Sequence, residues 1–340
     1  MAENATIIDI ARKAGVSTRA VSSALNGTGR VSDTTRNAIR KIAVEMSYQP
    51  RLAAQLMRAR STGGIGVIIP ADQAEASESG AHGPLMTNFL AIGEAESVRF
   101  HFDFVSMAHT PTDCIPQSFK GAYVDGAIVT DSMSPVPALR EYLMSQDRYP
   151  WVCINEEAPH CVMSDFTNAA NEAIGMLVDL GHRRIATATG PPDFRQHNEA
   201  RLSFERAARA HNMEIAPHRR GLFPYSQRRI GMSQYVEWAT EILAGDDYPT
   251  AFLCSDMRIG RAIIYAALSR GLQSPKDVTV VGMGTAGDAE KGYPCMTAIE
   301  PDFRALVERS YAMLRGMIAG ENVRGVDLVP AKLVHRDSVA

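Results

Sequence analysis

The sequence predicts a small all-α head joined to a two-lobed α/β core, and three observations carry that prediction. Residues 1–62 show only helical periodicity and hold ten Lys and Arg against four acidic residues, a formal charge of +6, which leaves −9 on the remainder. From Gly64 onward, short β-rich runs alternate with amphipathic helical patterns, the mark of parallel sheets covered by helices. A chain of 340 residues also exceeds one typical domain and suits a small module followed by a larger, divided one.

In the head, Ile7, Ile10, Ala11 and Ala14 recur at i, i+3, i+4 and i+7, so a first helix buries one narrow stripe. Thr6 precedes it with Asp9 three residues on, a shortened capping box. Gly15 supplies the positive φ needed to end it. Ser17 then N-caps a second helix with Ala20, Val21, Ala24 and Leu25 on its apolar side. Two short helices at this spacing make a helix-turn-helix. The opposite side of the second helix, Thr18, Arg19, Ser22, Ser23 and Asn26, is one hydrogen-bonding face. Ser32 and Asp33 open a third helix with the stripe Ile39, Ile42, Ala43 and Met46, which stops at Gln49-Pro50 because the residue before proline leaves the α region. The head is therefore assigned to 1–48. RLAAQLMR (51–58) is too short for a helix that stands alone in water, so 49–62 reads as a hinge helix and linker that orders when docked.

The core, 63–340, shows strand runs at 65–69, 102–107, 126–130, 151–155, 184–190, 250–255 and 278–284. Helical patterns fall at 88–99, 137–146, 168–181, 199–211, 233–245, 258–271 and 301–320. These are too many strands for one compact sheet, hence two lobes. The acidic stretch 74–83 fits no element.

Composition removes several function classes. With 45% hydrophobic and 21% charged residues the chain has the make-up of an ordinary globular protein. Five cysteines without a CxxC pair read as buried thiols of a reducing compartment. The N-terminus lacks the basic flank and apolar run of a signal peptide, and no apolar stretch approaches the roughly 20 residues that span a bilayer, so a cytoplasmic location is expected. Histidines and cysteines never cluster at metal-ligand spacing, and no GxSxG is present. The run Gly282-Met-Gly284-Thr-Ala-Gly287 matches GxGxxG, but Lys291-Gly-Tyr-Pro294 breaks the helix that a dinucleotide fold requires. No catalytic residue, metal or cofactor is expected.

The chain resembles the lactose-repressor/galactose-repressor (LacI/GalR) family of transcription regulators nearly end to end. The resemblance rests on TIIDIARKAGVSTRAVSSALNGTGRVSDTTR, on YQP before the hinge, and on IGVIIP, DGAIV, LGHRRIA, RLSFERA, SPKDVTVVG and LVHRDS in the core. It implies a periplasmic-binding-protein-like core, a homodimer on a pseudo-palindromic double-stranded DNA operator, and a small effector between the lobes. By the same resemblance Thr18, Arg19 and Ser23 read bases, Arg19 being suited to guanine. Thr6, Ser17, Ser22, Asn26, Arg30 and Ser32 contact phosphates, which fix register. Met57 takes the place of the family's minor-groove leucine wedge, Ala54 allows close approach, and Arg51 stands where asparagine is common. Ser23 departs from the family's usual arginine.

In the core the resemblance implies an effector site of Asp165, Arg201, Phe223, Ser255 and Asp256. Ser255 replaces an asparagine, and Gly284 stands where many members carry a sugar-clasping carboxylate. The expected function is a repressor controlled by a carbohydrate or related metabolite. The rival is a solute-binding protein without a regulatory role, which the core alone would fit but the basic head argues against.

Overall fold

A computed structural model describes residues 7–25, 31–46, 62–70, 82–105, 116–120, 123–130, 137–145, 149–192, 194–223, 232–323 and 325–340. Two compact units emerge, Met1–Thr62 and Gly63–Ala340. The hinge segment, apart from Thr62, lies outside the described residues.

The first unit holds α1 (Ile7–Ala14), α2 (Thr18–Leu25) and α3 (Asp33–Glu45). Its core is small: Ile10, Ala11, Val21, Ala24, Ile39 and Ala43 are buried, with Ile7, Ala14, Leu25, Ile42 and Met46 packed around them. Gly15 has φ +66° between α1 and α2, a conformation that costs a side-chain-bearing residue dearly. Ser17 Oγ accepts the Ala20 N–H at 3.2 Å, and Ser32 Oγ accepts the Thr35 N–H at 3.3 Å, so both hydroxyls satisfy amides that a helix start leaves unpaired.

The second unit follows a strand–helix rhythm. In chain order it contains β1 (Gly64–Pro70), α4 (His82–Glu96), β2 (Arg99–Val105), α5 (Gln117–Lys120), β3 (Gly126–Val129), α6 (Pro137–Met144), β4 (Trp151–Ile154) and β5 (His160–Asp165). There follow α7 (Thr167–Asp179), β6 (Ile185–Thr189), α8 (Arg195–Ala210), β7 (Arg220–Leu222), α9 (Met232–Ile242), β8 (Ala251–Cys254) and α10 (Met257–Ser269). The last elements are β9 (Thr279–Met283), α11 (Ala286–Ala289), β10 (Thr297–Glu300), α12 (Phe303–Ile318), β11 (Gly325–Pro330) and β12 (Lys332–Val334).

The strands make two six-stranded sheets, ordered β11-β5-β4-β3-β1-β2 and β12-β10-β9-β8-β6-β7. Every pairing is parallel except β10 with β12. Strands β3, β4, β6, β8 and β9 are buried along their whole length, which is why β3, β4 and β8 read as unbroken apolar runs, while β6 and β9 also bury Thr187, Thr189 and Thr279. In the first lobe, Val67, Ile128, Val152 and Val162 face α4 and α12, while Ile68, Ala127, Cys153 and Cys161 face α5 and α6. In the second, Ile185, Leu253 and Val281 pack on α7 and α8, while Ala186, Phe252 and Val280 pack on α9 and α10. The chain passes between lobes at β5–α7, β10–α12 and β11–β12.

Two departures from the sequence reading bear on the site. β2 begins at Arg99 rather than 102, because its register with β1 pairs Gly64 with Arg99. α8 begins at Arg195 rather than 199, which turns 195–198 from loop into the first turn of a helix.

Candidate functional site

On the head, the polar face of α2 is open. Ser17, Thr18 and Arg19 are exposed and Ser22 and Ser23 half-buried, with Val21 and Ala24 buried behind them. Arg19 has no ion-pair partner among the described residues, whereas Arg12 pairs with Asp9 and Lys13 with Glu45. The Lys13–Glu45 contact at 3.2 Å ties α1 to α3. Ser32 is exposed and already engaged with Thr35. Thr6, Asn26, Arg30, Arg51, Ala54 and Met57 lie outside the described residues.

In the core, parallel α/β sheets bind ligands beyond the carboxyl ends of their strands. Those ends in the second lobe are Gly190 after β6, Ser255 and Asp256 after β8, and Gly284 after β9. Ser255 is buried; its Oγ accepts the Gly190 N–H at 3.0 Å and lies 2.7 Å from His197 Nδ1. Either the serine hydroxyl donates to Nδ1 or a protonated Nδ1 donates to the second lone pair of Oγ. His197 stacks on Phe194, centroids 6.0 Å apart, and lies so close over Gly190 that a Cβ there would come within 2.6 Å of Nε2. Burial holds the imidazole below its ordinary pKa, outweighing the nearby Asp256 charge.

Asp256 N-caps α10 through the Arg258 N–H at 2.6 Å, and the Arg258 guanidinium clasps both carboxylate oxygens at 2.8–3.2 Å. Burial works to raise this carboxyl, but the hydrogen bonds and charge of Arg258, with His197, outweigh it and keep the pKa below the usual carboxylate range. Behind the pair, Tyr235 is pushed up to about 12 by burial and by the Asp256 charge. Phe223 packs edge-on against Tyr235 at 4.8 Å and Trp238 at 5.7 Å.

Serine, histidine and aspartate at one place invite comparison with a hydrolase triad. That chemistry needs a carboxylate on the far ring nitrogen and an accessible serine. Here Asp256 follows Ser255 in the chain, its oxygens are taken by Arg258 and a helix amide, and the serine is 2% exposed. The arrangement presents polar groups; it does not activate a nucleophile.

The five residues expected to hold an effector each have partners within the core. Ser255 and Asp256 meet at the end of β8, and Phe223 belongs to the aromatic packing beside them. Arg201 donates to Glu205 at 2.9 Å and to Asn198 at 2.8 Å, and Glu205 also draws Arg220 at 4.0 Å. Asp165 accepts the Thr167 N–H at 2.9 Å and lines a cavity beside the lobe junction instead. His197, Phe194 and Arg258 escaped the sequence reading. A helix drawn from 199 left His197 and Phe194 in loop, and a guanidinium that serves its own helix cap leaves no pattern in sequence.

Comparison with known proteins bears on the fold and the head. The profile "Bacterial regulatory proteins, lacI family" matches residues 6–51, and "Periplasmic binding protein-like domain" matches 174–339. The transcriptional repressor PurR of Escherichia coli is 28% identical over 360 aligned positions, covering 99% of this chain and 97% of PurR. The regulator CelR of Thermobifida fusca is 26% identical over 337, covering 95% of each. Among solved structures, the lac repressor dimer bound to operator and the anti-inducer ONPF superposes with a TM-score of 0.86 at 20% identity, covering 99% of this chain and all of that one. A CelR–cellobiose complex superposes at 0.69 with 21% identity, covering 98% of this chain and 99% of that one. The basic three-helix head, the doubly layered two-lobed core and these likenesses together make the chain a member of the lacI family of bacterial DNA-binding transcription regulators.

Proposed function

We propose that the protein is a homodimeric, cytoplasmic repressor that binds a pseudo-palindromic operator through α2 and releases or tightens it in response to a small effector. The carrying observation is the head's +6 charge combined with an exposed Ser17-Thr18-Arg19 face over a buried apolar back. Phosphate contacts supply affinity and base contacts specificity. The solved lac repressor dimer is bound to operator, and the solved CelR binds cellobiose, which supports the same pair of partners here. Exposed Tyr265 and Leu268, at i and i+3 on α10, support association of two copies. Met57, Ala54 and Arg51 would form the minor-groove segment; Met57→Ala would then reduce operator bending.

The effector would sit against His197, Ser255 and the Asp256–Arg258 pair. Since Arg258 neutralises Asp256 and Glu205 neutralises Arg201, a neutral, oxygen-rich ligand suits this wall better than an anion. Operator affinity of the full chain, measured by fluorescence anisotropy, is expected to fall steeply with salt, while a fragment from Gly64 does not bind. Salt-insensitive binding, or binding by the fragment, would refute the reading in favour of a solute-binding protein.

A further inference from the structure

Cysteine spacing along the chain shows no metal motif, but the fold brings two of the cysteines together. Cys153 on β4 and Cys161 on β5 are direct register partners in the parallel pairing of those strands. Both are thiols in the same buried cluster. Met163 belongs to that cluster too and lies two residues beyond Cys161, so its side chain leaves the same face of β5. Three sulfur side chains therefore share one face of the first sheet. Cys161 and Met163 also line a cavity of about 280 Å³ at the β5–β11 edge, which gives a small ion a way in.

Spacing decides what the thiol pair can do. Neighbouring strands run about 4.7–4.9 Å apart. Register partners in a parallel pair project side by side, so their Cβ atoms keep about that separation, outside the roughly 3.5–4.5 Å that a disulfide uses. Two metal–sulfur bonds of about 2.3 Å, the zinc–thiolate length, span the same gap. One shared ion thus fits the backbone better than an S–S bond. The donor set then selects the ion. Among the described residues, no three His, Cys, Asp or Glu side chains are grouped to hold a metal, so the third donor here is a thioether. Methionine adapts its position through three rotatable bonds. Two thiolates and a thioether are a soft set that suits Cu(I), whereas Zn²⁺ takes four ligands from Cys, His or carboxylate. Of the two guanidiniums on the cavity wall, Arg195 is drawn to Glu157 and Glu199, while Arg206 forms no ion pair among the described residues. A cation on the same wall favours the thiolate form that a metal needs.

We propose that Cys153, Cys161 and Met163 form a three-coordinate site for a soft monovalent ion, Cu(I), loaded through this cavity. Binding transfers both thiol protons to solvent and changes no oxidation state. The proposal does not depend on the operator reading, and a competition titration tests it. Full-length protein, reduced and kept without oxygen, is titrated with Cu(I) in the presence of bicinchoninate, and a single equivalent is expected to pass to the protein. Cys153→Ala and Cys161→Ala should each abolish that uptake. Met163→Leu, a nearly volume-conserving change, should weaken it by at least the roughly tenfold that loss of even an outer-shell partner costs. Far-UV circular dichroism checks each fold, and Met163→Leu decides the matter if a cysteine variant does not fold. A variant carrying both Cys114→Ala and Cys295→Ala should bind as the unaltered protein does. Failure to take Cu(I) from bicinchoninate overturns the proposal, and so does unchanged affinity in Met163→Leu. Uptake kept by Cys161→Ala but lost in the Cys114/Cys295 double variant overturns it as well. Displacement of Cu(I) by equimolar Zn²⁺ would overturn the assignment to a soft ion.

Discussion

The head and the strand-end wall of the core solve opposite problems with polar groups. On α2, Ser17, Thr18 and Arg19 point outward and the arginine keeps its donors for a partner. At the end of β8, Ser255, His197, Asp256 and Arg258 already hold one another. The difference follows from solvent. An exposed donor costs little while it waits, since water serves it, whereas a buried one left unpaired costs about 1–3 kcal/mol. A surface that reads a large, charged, hydrated partner can stay open; a wall meant for a small molecule must be prewired, and its ligand meets only the donors left over.

The contrast breaks most visibly at the level of stability. Ile39 is fully buried in a core of few residues, so Ile39→Ala is expected to remove about 2–5 kcal/mol from the head alone. Calorimetry should show operator binding lost with the core transition unmoved; a parallel fall of both transitions would mean that the units are not independent. Arg258→Ala tests the other region. It strips Asp256 of its guanidinium, and because the pair is partly exposed the expected cost is about 1–3 kcal/mol, read as a lower core Tm with operator affinity preserved.

A smaller effect is expected from Arg19→Ala: about tenfold weaker binding to the specific operator, a lesser loss on random DNA, and no change in Tm. Equal losses on both DNAs would make Arg19 a phosphate contact only. The smallest effect is a pH dependence. The folded core lowers the His197 pKa from its ordinary 6.5, so protonation favours the unfolded chain. The associated stability is complete above about 6.5 and is lost as pH falls from there through the lower folded value. His182, also lowered by burial, acts in the same sense. The core Tm should therefore drop between pH 7 and 5, and His197→Gln should shrink that drop without abolishing it.

Much of this protein was settled by sequence alone. Periodicity placed α1–α3 and their buried stripe, since Ile10, Ala11, Val21, Ala24, Ile39 and Ala43 recur at the spacing that closes a three-helix core. The doubly buried strands β3, β4 and β8 announce themselves as apolar runs, because both faces of a parallel sheet are covered. Tertiary structure decided what lacks a local signal. β5 and β11 are mixed in character, and β11 is a strand because β5 pairs with it residue by residue from Gly325 to Pro330. Arg201 and Asp256 look alike in sequence as charged ligands in waiting. Only the fold shows Arg201 spent on Glu205 and Asn198, Asp256 on Arg258, and His197 carried to Ser255 across 58 residues of chain. A side chain's type is written in the sequence; which neighbour satisfies it depends on strands and helices that meet only when both sheets have formed.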